Sequence, residues 1–165
     1  MSGAVLPGRR APSAGPGLFV SWLLLLLLAL RAQRLTQAPP IPVGLGASRA
    51  LTVLFLMGWV LGVFGAILSL PPSARADGLV TSGPFARVRH PLYAVSLFFL
   101  GLLTIATSRS WFVAAVWPVS YALAHLWVRI EEHALEGRFG ASWREYAART
   151  PRFLPRLRAQ RADPR

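Results

Sequence analysis

The feature that most constrains this chain is the stretch from Ala50 to Leu70, which contains no charged residue. An α-helix crosses the hydrocarbon of a bilayer in about 20 apolar residues, whereas a barrel strand needs only about 10. Inside lipid every backbone N–H and C=O must be satisfied within the segment or a closed barrel, so a run of this length is a helix. Three further apolar runs share the character. Leu18 to Leu30, with Leu23 to Leu28 unbroken, reaches crossing length only by borrowing Ala14 to Gly17 or Arg31 to Leu35; Pro91 to Ser108 and Trp111 to Val128 follow. The chain is therefore expected to be all-α and polytopic, with spans at 18–35, 50–70, 91–108 and 111–128. A cytoplasmic C-terminal helical segment is expected at 129–150.

Composition agrees. Of 165 residues, 54% are hydrophobic and 15% charged, against roughly 25% charged in soluble domains. The net charge of +12 is carried by 18 arginines and no lysine. They flank the apolar runs, which fits a membrane surface and membrane lipid as partner and not nucleic acid. No cysteine is present, which excludes disulfides, thiolate metal sites and a thiol nucleophile. Residues 1–17, rich in Gly, Pro and Ser and containing Arg9 and Arg10, read as a disordered basic tail; residues 156–165 read as a second basic tail. A cleaved leader is the rival reading of the first run, but Leu30 and Arg31 suit a cleavage site after Ala32 poorly.

Arginine placement sets the expected orientation. With four spans, fourteen arginines fall on the side of both termini and the 75–90 loop, and four (Arg31, Arg34, Arg49, Arg109) on the other. The positive-inside rule puts the first side in the cytoplasm. Two polar segments, 77–93 and 129–146, thereby share one face. Gly58, Gly62 and Ala66 recur at helical spacing, a pattern that lets another helix approach closely. Pro118 is expected to kink span four. Gly137 and Gly140 are expected to break the polar helix after it, with Ser142 and Glu145 as a capping box that restarts it.

The residues able to carry chemistry cluster at the two polar segments. Arg89-His90-Pro91-Leu92-Tyr93 stands where a loop enters span three. Pro91 suits a first helical position, so His90 falls at the cap and Tyr93 on the first turn, whose free N–H groups favour an anionic group. Glu131-Glu132, two of only six acids, lie where span four leaves the membrane; acids at that boundary are paired or functional. Arg129 and Arg138 are candidate salt-bridge partners. His125 is expected to bond a neighbouring helix. With His90 and His133 it offers haem or metal ligands in principle, but no compact ligand spacing supports a metal, and none is expected.

Taken together, Asp77-Gly78-Leu79-Val80-Thr81-Ser82-Gly83-Pro84-Phe85, Arg89-His90-Pro91-Leu92-Tyr93, Glu131-Glu132, Leu135, Phe139-Gly140, Tyr146 and the Pro151–Pro155 end resemble the isoprenylcysteine carboxyl methyltransferase family and the related phospholipid methyltransferases. The resemblance covers roughly Asp77 to Pro155. It implies a small helical membrane enzyme with S-adenosyl-L-methionine as cofactor. The implied cofactor contacts are Gly78, Leu79, Val80, Phe85, His90, Pro91, Leu92, Tyr93 and Glu131, with Glu132 and Tyr93 as catalytic candidates. It implies a lipophilic or small-molecule methyl acceptor, with carboxylate O-methylation or phospholipid or small-amine N-methylation as the alternatives; an amine or hydroxyl acceptor needs a base, drawn from His90, Tyr93 or Glu132. One departure bears on the acceptor. Trp127 stands four residues before Glu131, where the prenylcysteine enzymes carry an arginine for the substrate carboxylate, and Arg129 points to a different helix face. Phe85 and Trp143 stand at positions where tyrosine is common. Oligomeric state is not legible from the residues. A non-enzymatic subunit holding haem or metal through its histidines is the reading from another class.

Overall fold

The computed structural model describes residues 13–69 and 78–155. The expected tails beyond those limits, the expected end of span two at Leu70 and Asp77 lie outside the described residues. Four long apolar helices follow one another: α1 (Gly15–Thr36), α2 (Leu45–Leu68), α3 (Pro91–Ser108) and α4 (Trp111–Phe139). A short polar helix, α5 (Ala141–Arg149), completes the fold, and no strand occurs among the described residues. Among the described residues the protein is all-helical, with four helices long and apolar enough to cross a membrane.

The helices form an open layer. α2 packs along α3, α3 against α4, and α4 along α1, while α1 and α2 make no extensive contact. The glycine pattern of α2 explains its close approach. A Cβ at Gly58 would overlap the Phe99 ring, and one at Gly62 would lie 2.7 Å from Val95; Ala66, on the same face, is buried. Gly17 admits the Trp127 ring in the same way between α1 and α4, and Gly101 admits Trp117 between α3 and α4. Outward faces stay apolar: Leu24 and Leu28 of α1, and Leu54, Leu61 and Phe64 of α2, are exposed, as lipid contact requires.

Polar bonds tie the two ends of the layer. At one end Ser48 Oγ donates to Ala106 O (2.6 Å), Ser110 Oγ to Gln33 Oε1 (2.9 Å), and Ile41 N–H to the carbonyl of Arg109 (2.7 Å). The other end gathers the start of α1, the start of α3, the end of α4 and α5. Arg89 N–H donates to Pro151 O (2.8 Å) and His90 N–H to Arg152 O (3.1 Å), so the segment after α5 is clamped beneath the entrance of α3.

Several expectations need correction here. α1 begins at Gly15, with Pro16 in its first turn, where proline's missing N–H costs nothing; residues 13–17 thus belong to or abut the helix and are not tail. α4 does not stop at Val128 or break at Gly137, but runs unbroken to Phe139. A single helical glycine costs only about 1 kcal/mol, and Gly137 stands where a side chain would meet nothing within 4 Å. The break is at Gly140, whose φ of +54° is open chiefly to glycine. Gly140 itself caps α5 and no side-chain cap bond forms there, so Ser142 lies inside the first turn and is not a capping box.

Candidate active site

The sequence places a proline at the first turn of α3, and the chain enters that helix through an extended loop and a 3₁₀ turn, Gly83–Ala86. His90 is the N-cap residue, but its side chain makes no cap bond. Its ring instead turns to Glu132, with Nε2 3.3 Å from Oε1, and stacks on Tyr93 at 5.6 Å between centroids. Tyr93, one turn into α3, donates its hydroxyl to Glu131 Oε2 at 2.9 Å. The same oxygen accepts the Ala14 N–H at the start of α1 (3.0 Å). A carboxylate at that point is favoured by the unsatisfied N–H groups and dipole of the α1 terminus.

Adjacent Glu131 and Glu132 have separate surroundings because successive residues of a helix point about 100° apart. Glu131 faces a cavity of about 460 Å³. The wall of this cavity holds Gly78, Leu79, Val80, Phe85, His90, Pro91, Leu92, Tyr93 and Glu131 together, and is completed by Ser13, Arg89, Leu135, Phe139, Trp143 and Tyr146. Glu132 is not in that wall. It is buried, at 8% exposure, and its two oxygens accept from Arg152 at 2.7 to 3.1 Å, with Arg89 at 3.2 Å. Two guanidinium groups therefore match one carboxylate, the condition under which a buried charge is tolerated. Arg152 also approaches His125 Nδ1 (3.4 Å), so His125 bonds the segment after α5, not a neighbouring helix. Among the described residues no three His, Asp or Glu side chains are grouped to hold a metal ion.

α5 supplies the opposite wall. The Tyr146 hydroxyl donates to the Phe85 carbonyl at 2.7 Å, holding the 3₁₀ turn against α5. Burial pushes that hydroxyl up to about 12, which keeps it a donor, and Arg89 acts the other way. Trp143 packs on Tyr146, and the Arg89 guanidinium lies over its ring at 5.9 Å. Trp127, where an arginine was the point of comparison, faces away from the cavity: its ring packs on Gly17 and its Nε1 donates to Ser21 Oγ at 3.1 Å. Two residues had escaped the sequence reading. Arg152 lies in the proline-flanked end with nothing local to mark it, and Ser13 was read as tail.

An apolar four-helix layer with a cavity built from the loop before α3, the end of α4 and α5, and carrying Glu131, Arg89 and His90 in its wall, defines a membrane methyltransferase-like fold, and residues 44–142 match the phospholipid methyltransferase family. The chain belongs to that family. Among curated proteins it is 38% identical over 124 residues to the cobalt-zinc-cadmium resistance protein CzcN of Cupriavidus metallidurans, covering 73% of this chain and 56% of that one. It is 34% identical over 120 residues to the nickel-cobalt-cadmium resistance protein NccN of Alcaligenes xylosoxydans xylosoxydans, covering 70% and 55%. The chain thus spans little more than half the length of these relatives. No solved structure matches it.

Proposed function

We propose that this protein transfers a methyl group from S-adenosylmethionine to a lipophilic acceptor, at a site opening on the cytoplasmic end of the helices. One observation carries the reading: nine residues scattered from Gly78 to Glu131 line a single cavity of about 460 Å³, within the range of small-ligand sites. The residues suit the donor chemically. Glu131 offers an anion to an amino-acid ammonium or a sulfonium, and Phe85, Phe139, Trp143 and Tyr146 offer aromatic faces to a purine.

Bound there, the cofactor would supply an already activated methyl on a positively charged sulfur. The protein's share is positioning and charge balance. Glu131, held by Tyr93 and the start of α1, presents its carboxylate at the cavity wall. Glu132, with both oxygens engaged by Arg152 and Arg89, is better suited to fixing His90 and the α3 entrance than to taking a proton from substrate. Tyr93 is left as the residue best placed for chemistry. The fourteen-to-four arginine distribution supports a cytoplasmic location for this end and for both termini.

Isothermal titration of the purified protein with S-adenosylhomocysteine tests the reading; absence of binding by the wild-type chain sinks it. Likeness to CzcN and NccN further suggests a setting in metal resistance. That part is tested by metal tolerance of a sensitive host expressing the chain or its Glu131→Gln variant; equal tolerance would discard it.

A further inference from the structure

We propose that the methyl acceptor is an uncharged lipophilic molecule with an exchangeable proton on its reacting atom, received from the bilayer through the gap between α1 and α2. The inference rests on the donor reading above and names the other substrate of the same site. Behind Tyr93 lies a second cavity, about 420 Å³, walled by Leu18 and Trp22 of α1, Trp59 of α2, Leu100 of α3, and Trp117 and Ser120 of α4. It occupies the place where α1 and α2 fail to pack. Tyr93 lines both cavities, so the donor site and the membrane-embedded space meet at its side chain.

The wall of the second cavity determines what it can hold. No charged side chain among the described residues lines it. Its polar groups are largely turned on one another: Trp59 Nε1 donates to Ser96 Oγ (3.2 Å), Trp117 Nε1 to Leu97 O (2.8 Å) and Ser120 Oγ to Val116 O (2.9 Å). A carboxylate or phosphate finds no cation there, and unpaired charge at membrane depth is expensive. Trp127, on α4, faces α1 and adds no charge to this wall.

Charge balance fixes the second property. The donor would supply a methyl group and keep the C–S electron pair on sulfur, while the acceptor's lone pair would form the new bond to carbon. A neutral acceptor would then be left cationic in an uncharged cavity unless it loses a proton. The nearest route out is the Tyr93 hydroxyl, which already donates to the Glu131 carboxylate; the acceptor proton passes to Tyr93 as the Tyr93 proton passes to Glu131, and from there to water in the donor cavity. A hydroxyl, thiol or amine on an apolar body meets these requirements.

Photolabelling of the purified full chain in lipid nanodiscs, with a diazirine-bearing decanol as probe, tests this without turnover. Adducts are expected on Leu18–Trp22 and Ser96–Leu100, displaced by decanol about tenfold better than by decyl sulfonate or decyltrimethylammonium. Leu100→Trp, and Ser120→Leu from the facing wall, should each cut these adducts about tenfold while S-adenosylhomocysteine affinity stays within about twofold. Equal displacement by either charged competitor, adducts elsewhere, or adducts indifferent to both substitutions overturns the proposal. Failure of the wild type to bind S-adenosylhomocysteine strikes instead at the donor reading; the adduct map then still decides the nature of the second cavity.

Discussion

The hydroxyl of Tyr93 and the carboxylate of Glu131 meet at 2.9 Å across the α3–α4 packing, on the oxygen that also accepts the Ala14 N–H at the start of α1. Three segments separated by as many as 117 positions thus converge on one atom. The local reason differs for each. Pro91 starts α3 so that Tyr93 is one turn in, α4 carries its helical register past the apolar run to Glu131, and Gly17 lets Trp127 draw α1 close.

Replacing that carboxylate tests the site directly. Glu131→Gln keeps the shape but removes the charge, and hydrogen bonds to charged groups contribute about 1.5–3 kcal/mol. S-adenosylhomocysteine affinity by titration calorimetry should fall about tenfold or more. Glu145→Gln alters an exposed carboxylate paired with Arg149 on α5, where a surface pair contributes under about 1 kcal/mol, and should leave affinity unchanged. Equal effects from the two would remove Glu131 from the site.

Glu132 should behave as a structural acid. Breaking a buried ion pair from one side costs about 3–5 kcal/mol, since the partner charge remains. Glu132→Gln leaves Arg152 and Arg89 facing a neutral amide and is expected to lower thermal stability in detergent by that order. Arg152→Met removes an opposing charge and should destabilise comparably. Full stability in Glu132→Gln, with activity lost, would restore the catalytic role suggested by its position in the sequence.

The membrane-spanning architecture was legible because apolar runs of crossing length leave the backbone no alternative, and the small-residue pattern of α2 named its packing face. Gathering of the cavity residues was legible only through motif resemblance, since nothing local in Gly78–Val80 announces a wall. What escaped was set by long-range geometry. Arg152 finds Glu132 only after α5 turns back, and Ser13 reaches Tyr93 only once α1 packs on α4. Of the two expected helix breaks only the one at Gly140 forms, for a different reason: Gly137 and Gly140 look alike in sequence, and only Gly140 adopts positive φ.

Helix packing offers a matched pair within α2. A methyl at Gly62 would lie 2.7 Å from Val95 Cγ1, whereas one at Gly65 meets nothing within 4 Å. Overpacking costs about 1–3 kcal/mol, so Gly62→Ala should lower the thermal midpoint, whereas Gly65→Ala, which meets no neighbour and removes the roughly 1 kcal/mol cost of a helical glycine, should raise it. If the two variants melt alike, the close approach of α2 to α3 is wrong.

The bond from Tyr146 to the Phe85 carbonyl makes a prediction in pH. Its hydroxyl is raised from 10.0 to about 12 in the folded chain because burial disfavours the phenolate. A group raised on folding contributes stability that is fully present below its unfolded value and is lost as pH rises toward the folded one. Tyr146→Phe should therefore be less stable than wild type by about 1 kcal/mol, the worth of one hydrogen bond, at every pH below 10. Between pH 10 and 12 the wild type should lose this advantage, as its unfolded chain gives up the proton first. Tyr93 and Tyr121 are present in both proteins, so the difference between their unfolding curves isolates Tyr146. A difference that stays constant through pH 12 would mean that the hydroxyl is not buried against the 3₁₀ turn, and that α5 does not close the cavity as described.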